Sequence, residues 1–424
     1  MARSGTWITV ETGRRNEILE TASRLFASSG LRTSLQDIAD ASGIRPGSLY
    51  HHFESKEAIV VELVRRYHTE LDGLAELALK ELKDADDCAP RLVADRIVRL
   101  GTAIAHCAVH HSAAVQITFY EPPVSASHEL VRLASRAPTA AEAAMREALR
   151  AGTASGFIWP GTDLALLADR FCQTMLHVGL GLYHRYPAVG QVAGLLCNLM
   201  LYGVAAGSPA DAELDRSDAL RAVEAVMQRW DGERDPDASD RAALIREVAR
   251  AEFGRRGYEG TTIRDLASAA GLSTGSVYRV IGSKEELLAS IMRSFSEEVM
   301  AGWNATLGSG STAVEKLDAV AWLHINVLER FSQEFNIQLS WLRQSPPDIP
   351  NPGWVFPSVV RRLKDLLSEG TRSGELGFGG PSGRLAALCV LDLTWLPQNI
   401  VRTAGKRTAL ILARDTVLRG VAKR

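Results

Sequence analysis

Residues 37–57 read DIADASGIRPGSLYHHFESKE, and residues 265–285 read DLASAAGLSTGSVYRVIGSKE. Ten of the 21 positions are identical, and three more differ only as Ile/Leu or Leu/Val. The match extends upstream, where Ile18, Ala22, Phe26 and Gly30 face Ile245, Ala249, Phe253 and Gly257. Far downstream LRAGTASG (149–156) echoes LSEGTRSG (367–374). Internal self-similarity on this scale reads as duplication of a whole unit, not of a short motif alone.

Each copy predicts short helices in succession. In the first, Ile18, Ala22, Leu25 and Phe26 recur at helical spacing and stop at Gly30. Ser34 and Asp37, like Thr262 and Asp265, have the spacing of a capping box that opens a second helix. Gly43 and Gly271 then turn the chain. Helix, glycine-containing turn, helix is the helix-turn-helix arrangement. The third helix is expected from Pro46 to about Phe53, with proline at its first position. Leu49 and Phe53 anchor it, which turns Arg45, Gly47, Ser48, Tyr50, His51 and His52 outward. Small residues at Gly47 and Ser48 would let a backbone approach closely. Lys56 and Lys284 sit in a helix's first turn, where a cation opposes the helix dipole, so a phosphate contact is the better reason for them.

These segments resemble the DNA-binding signature of the tetracycline-repressor (TetR) family. The resemblance rests on SLQDIA (34–39), Gly43, GSLYHHF (47–53) and SKE (55–57), then on TTIRDLA (261–267), Gly271, GSVY (275–278) and SKE (283–285). The second copy departs from it at RVIG (279–282). The resemblance implies an all-α chain of two tandem units, each a three-helix DNA-binding domain followed by a larger ligand-binding and dimerisation domain. The expected division is an arm at 1–13, DNA-binding domains at 14–60 and 240–288, helical domains at 61–230 and 289–424, and a polar linker at 231–239. Family members work as homodimers, so two units on one chain imply an intramolecular pseudo-dimer, with further homodimerisation left open. The expected DNA contacts are Ser34, Arg45, Pro46, Gly47, Ser48, Tyr50, His51, His52 and Lys56, then Thr262, Ser273, Thr274, Gly275, Ser276, Tyr278, Arg279 and Lys284. The two sets differ, so the operator in double-stranded DNA should be asymmetric.

The expected function is therefore a transcriptional repressor released by a small hydrophobic or acyl-CoA-like effector. The alternative is a ligand-independent regulator that works as a homodimer with one active helix-turn-helix per chain. The first half is also similar to TetR-type repressors of actinobacterial sterol and lipid catabolism, in GSLYHHF and in His110-His111. Those respond to acyl-CoA thioesters, which makes Arg185, within YHRYP (183–187), a candidate for an anionic group. Tyr120, His177, Tyr183, Trp341 and Trp395 complete the candidate ligand set.

The bulk properties set limits. The chain has 424 residues, room for several domains, and a net charge of −2, so any DNA-binding surface must be locally basic. The five cysteines are scattered without a CxxC, as in a reducing compartment. No apolar run has the length of a membrane span or signal peptide, so a cytoplasmic protein is expected. His106, Cys107, His110 and His111 pair at i, i+4, but no nearby carboxylate in the sequence completes a zinc set, and no cofactor is expected. HExxH does not occur, GxSxG stands only in GLSTG (271–275), inside the second helix-turn-helix and not at a strand-to-helix turn, and no enzyme is expected.

Overall fold

A computed structural model describes residues 5–30, 33–83, 89–118, 122, 126–180, 188–230, 240–258, 260–343, 356–377 and 383–423. Among them the fold is all-α, with two isolated β-bridges and no strand. In the first half, α1 (Gly5–Ser29), α2 (Leu35–Ala41) and α3 (Pro46–Tyr50) form the first helix-turn-helix unit. Then follow α4 (Lys56–Lys83), α5 (Pro90–His110), α6 (Ser112–Ile117), α7 (His128–Ala134), α8 (Thr139–Ala154), α9 (Leu164–His177) and α10 (Val189–Tyr202). Two short helices follow, α11 (Asp211–Leu214) and α12 (Asp218–Met227). The second half repeats the plan with α13 (Asp240–Arg256), α14 (Ile263–Ala269), α15 (Thr274–Ile281), α16 (Lys284–Gly308) and α17 (Ala313–Arg330). It continues with α18 (Ser332–Arg343), α19 (Phe356–Ser373), α20 (Arg384–Thr394), α21 (Gln398–Ala404) and α22 (Lys406–Ala413), which runs into a π-turn at Arg414–Arg419.

Two expectations change, and a third falls where nothing tests it. Residues 5–13, read as an arm, continue α1 as helix. The expected linker at 231–239 lies outside the described residues. Residues 209–230, placed by the sequence reading in the first helical domain, pack on the second half instead. There α12 lies along α16 and α17, the Ala219 N–H donates to Ser311 Oγ at 2.9 Å, and the Trp230 ring meets Phe331 at 5.1 Å. The physical anchor is Arg414, whose side chain is fully buried. It donates to Asp318 at 2.8 and 2.9 Å, to Asp215 at 2.7 Å and to Asp211 at 3.1 Å. Burial opposes the Arg414 charge, but the carboxylates around it hold the guanidinium more firmly protonated than usual.

The two halves meet through a reciprocal exchange of chain ends. After α10, Val204 and Ala205 donate to the carbonyls of Val417 and Leu418 at 2.8 and 2.9 Å. After the π-turn, Val421 and Ala422 donate to Met200 and Leu201 at 3.2 and 2.8 Å. Ala205 bridges Leu376, and Ala422 bridges Ile158. Each half thus does to the other what the other does to it, the pattern an approximate two-fold axis produces. Gly-Val-Ala stands at both crossings, 203–205 and 420–422. Both glycines have positive φ (+66° and +80°), and a Cβ on either would lie within 2.3 Å of the other crossing's backbone.

Candidate nucleic-acid interface and effector cavity

The two helix-turn-helix units are built by the same local devices. Ser34 Oγ accepts from the Asp37 N–H at 3.1 Å, while Asp37 accepts from the Ser34 N–H at 2.7 Å. Thr262 and Asp265 do the same at 3.2 and 2.8 Å. Both hydroxyls also donate to their aspartates at 2.7 Å, so Ser34 and Thr262, expected at DNA, serve first as helix caps. These hydrogen bonds hold both Asp37 and Asp265 below the usual carboxylate range. Gly43 and Gly271 adopt φ of +64° and +66°, the left-handed turn that glycine alone enters without strain. Ile18, Ala22, Phe26, Ile38, Ala39 and Leu49 close the first core, and Ile245, Ala249, Phe253, Leu266, Ala267 and Val277 the second.

What this scaffold leaves outside is specific. Helix α3 is shorter than expected and ends at Tyr50, because the N–H groups of His52 and Phe53 both turn back onto the Leu49 carbonyl at 2.9 and 3.0 Å. Arg45, Gly47, Ser48, Tyr50 and His51 are exposed, with Pro46 and His52 half-buried. On α15, Ser273, Thr274, Gly275, Tyr278 and Arg279 are exposed and Ser276 is half-buried. Tyr50 and Tyr278, at matching places, are 56% and 53% exposed. Gly47 and Gly275 have ordinary φ, and a Cβ on either would meet nothing within 4 Å. A helical glycine costs about 1 kcal/mol relative to alanine, and here the fold gets nothing in return.

The two lysines are partly drawn inward. Lys284 Nζ donates to the Tyr258 carbonyl at 2.5 Å and lies 4.0 Å over its ring. Lys56 is half-buried; burial lowers its affinity for the proton, and Asp37 opposes that.

A cavity of about 190 Å³ lies in the second half, closed on one side by His177 and Leu180 of the first. Trp395 also lines it, so His177 and Trp395 of the candidate ligand set come together there. Tyr120, Tyr183 and Arg185 lie outside the described residues, as does the side chain of Trp341 on α18. Sequence reading missed His324, Asn336, Gln338 and Asp392 in this lining, since polar residues inside apolar helices carry no ligand signal of their own. Trp303 (0% exposed), His324 (0%) and Gln338 (9%) each hold a buried polar atom without a hydrogen-bond partner: Nε1, Nε2 and Oε1. His324 stacks on Trp395 at 3.8 Å and 9°, and its Nδ1 lies 3.0 Å from Thr394 Oγ1. Beside the cavity, the buried Arg170 of α9 donates to the Leu393 and Trp395 carbonyls at the end of α20. A cation there complements the helix dipole and ties the halves together.

Burial holds His324 near a pKa of about 3, so the folded chain keeps this ring neutral. An unfolded histidine takes up its proton as pH falls through about 6.5. The unfolded state therefore binds the extra proton between about pH 6.5 and 3, and stability falls with acidification across that window. The His324 contribution should be about 3 kcal/mol lower at pH 4 than at pH 7. Urea unfolding at both pH values, with His324→Phe as reference, reads it as the difference in slope. Equal pH dependence in both chains would contradict a neutral buried ring.

Elsewhere, Glu70 from α4 reaches His111 Nε2 at 2.8 Å, the carboxylate that the sequence reading found lacking. Glu70, His110 and His111 place a ligand atom each within 4.8 Å of one another, one short of a tetrahedral zinc set. Among the described residues, no helix is long and apolar enough to cross a membrane.

The sequence matches the family described as bacterial regulatory proteins, tetR family, at residues 18–63 and again at 245–291. This chain carries two tetR-family units in tandem. It is 55% identical over 64 residues to the HTH-type transcriptional repressor KstR2 of Rhodococcus jostii, covering 15% of this chain and 31% of that protein. It is 39% identical over 124 residues to KstR2 of Mycobacterium tuberculosis, covering 29% of this chain and 54% of that protein. The matches thus span between 31% and 54% of the length of these curated relatives. The solved structure of the ketosteroid transcriptional regulator KstR2 of Mycobacterium tuberculosis is similar with a TM-score of 0.35 and 22% identity, over 44% of this chain and 98% of that one.

Proposed function

We propose that the chain is a sequence-specific DNA-binding repressor whose two recognition helices, α3 and α15, address the unlike halves of one asymmetric operator. The observation that carries this reading is the pair Gly47 and Gly275. Each is exposed on a recognition helix, lacks a conformational reason to be glycine, and stands beside an exposed tyrosine. Close approach of an external backbone explains both. In a helix-turn-helix dimer the two recognition helices enter successive major grooves roughly 34–36 Å apart. The reciprocal crossing of the halves supports one chain taking the place of such a dimer. Exposed Arg45 and His51 on one side, against Ser273, Thr274 and Arg279 on the other, give the two helices different donors to offer. Arg279 suits a bidentate contact to guanine O6 and N7. The relatives named as repressors support the direction of control, and the apolar cavity supports release by a small hydrophobic or acyl-CoA-like effector.

Gly47→Ala separates fold from function. It should stabilise the chain by about 0.5–1 kcal/mol, because alanine is the better helix former and nothing obstructs its methyl. It should weaken operator binding about tenfold, roughly 1.4 kcal/mol. Tyr50→Ala and Lys56→Ala should weaken binding without unfolding the chain. Genomic footprinting at two salt concentrations, with the mass of the complex, reads all of these. An asymmetric protected site bound by one chain is the expected result. A palindromic site bound by two chains would leave one unit per chain idle, and salt-independent or absent duplex binding would remove the DNA-binding reading altogether.

A further inference from the structure

We infer that the cavity between the halves selects an uncharged apolar ligand bearing a hydroxyl group, held by Trp303 as donor and His324 as acceptor. This rests on the reading of the cavity as the effector site and narrows its ligand class against acyl-CoA thioesters and free carboxylates.

The acceptor follows from the hydrogen bonds around His324. The Thr394 hydroxyl gives its proton to the Leu391 carbonyl at 2.7 Å. At its contact with His324 Nδ1, Thr394 Oγ1 can then only accept, so Nδ1 carries the ring proton. Burial keeps the ring neutral, which leaves Nε2 as a bare lone pair, fully buried and without a partner. Trp303 Nε1–H, also fully buried and without a partner, is a donor and nothing else. The two rings lie 5.7 Å apart and both line the cavity. A ligand hydroxyl is one group that donates to the first and accepts from the second. Gln338 Oε1 is a third buried polar atom awaiting a partner in the same lining. A group of this kind left unpaired costs about 1–3 kcal/mol, which a matching ligand recovers on binding.

Charge decides against the other classes. Among the described residues the lining contains no lysine or arginine, and its one formally charged side chain is Asp392. A carboxylate brought into such a site would be buried against a neutral histidine and an acid, while the nearest described cation, Arg170, stands behind the lining with its guanidinium on the Leu393 and Trp395 carbonyls and its charge facing Asp392. The body of the ligand meets Phe295, Val299, Leu339 and the face of the Phe335–Trp395–His324 stack. The volume of about 190 Å³ is far beyond the roughly 10–15 Å³ that one ordered water requires, so a lone water does not fill this space.

The test is calorimetric titration of the full chain with four matched probes: 1-octanol, 1-chlorooctane, octanoate and octanoyl-CoA. The expected order has 1-octanol at least tenfold tighter than octanoate and octanoyl-CoA. Trp303→Phe and His324→Phe keep an aromatic ring and each remove one polar atom. Each should weaken 1-octanol about tenfold while leaving 1-chlorooctane unchanged, a split that a packing role alone would not produce. If one variant fails to fold, the other decides. The inference is overturned if octanoate or octanoyl-CoA binds as tightly as the alcohol, if 1-octanol does not bind, or if the variants weaken both neutral probes equally. Duplex binding of the ligand-free chain is measured alongside. Intact DNA binding with the wrong ligand order overturns the ligand class and leaves the regulator, whereas the right order without DNA binding does the reverse.

Discussion

Gly203→Ala is expected to destabilise the chain by about 3–5 kcal/mol, a very large effect for one methyl group. Two costs add. Gly203 sits at φ +66° and ψ 174°, a region that is essentially glycine's alone. A Cβ there would also lie 2.3 Å from the Leu418 carbonyl oxygen and 2.5 Å from Arg419 C and Gly420 N. Those are backbone atoms at the crossing of the halves, so no side chain can swing away to relieve the clash. Gly420→Ala should cost as much, with its Cβ 2.3 Å from Tyr202 C. The crossing hydrogen bonds from Val204, Ala205, Val421 and Ala422 would be the first lost. Urea unfolding of each variant measures the loss, and in the proposed regulator the affinity for an asymmetric operator should fall with it. A change below about 1 kcal/mol in both variants would mean that the halves do not meet backbone to backbone at these glycines.

Arg414→Leu is expected to cost about 3–5 kcal/mol at neutral pH. The reason is less the lost ion pairs than what remains. The Asp318 side chain is as fully buried as that of Arg414, and burial already pushes its carboxyl up while Arg414 pulls it down. Without the guanidinium, Asp318 must stay charged and unpaired or take a proton. Replacing both partners should therefore restore most of the stability: Arg414→Leu with Asp318→Leu removes the orphan along with its partner. Asp211 and Asp215 would lose a contact in either case, so residues 209–217 should become more open to proteolysis after Arg216. The check is the non-additivity of the two substitutions in a double-mutant cycle. Simple additivity would mean that Arg414 acts through its packing and not through Asp318.

The legible part of the sequence was the part written in local rules. Ser34 with Asp37, Thr262 with Asp265, and the turn glycines Gly43 and Gly271 act within a few residues of themselves, so their spacing suffices to read two helix-turn-helix units. The outward face of each recognition helix followed from the same periodicity, including Gly47, Tyr50, Gly275 and Tyr278. The recognition-helix end at Tyr50 was misjudged because it depends on tight turns that no residue type marks.

The sequence by itself determined the helical class, the duplication and the outward face of each recognition helix, because short-range propensity and capping dictate them. Only the tertiary structure decided where the halves part and what lies between them. Asp211 and Arg414 are 203 positions apart, and so are remote along the chain despite forming one ion pair. Gly203 and Gly420 look like ordinary helix stops until their backbones are seen to cross. Trp303, His324 and Trp395 sit on three different helices or their ends, and only packing turns three core-like aromatics into one cavity with unpaired polar atoms. Long-range contacts carry no periodicity, and a polar atom's lack of a partner is a property of its surroundings, not of its residue type.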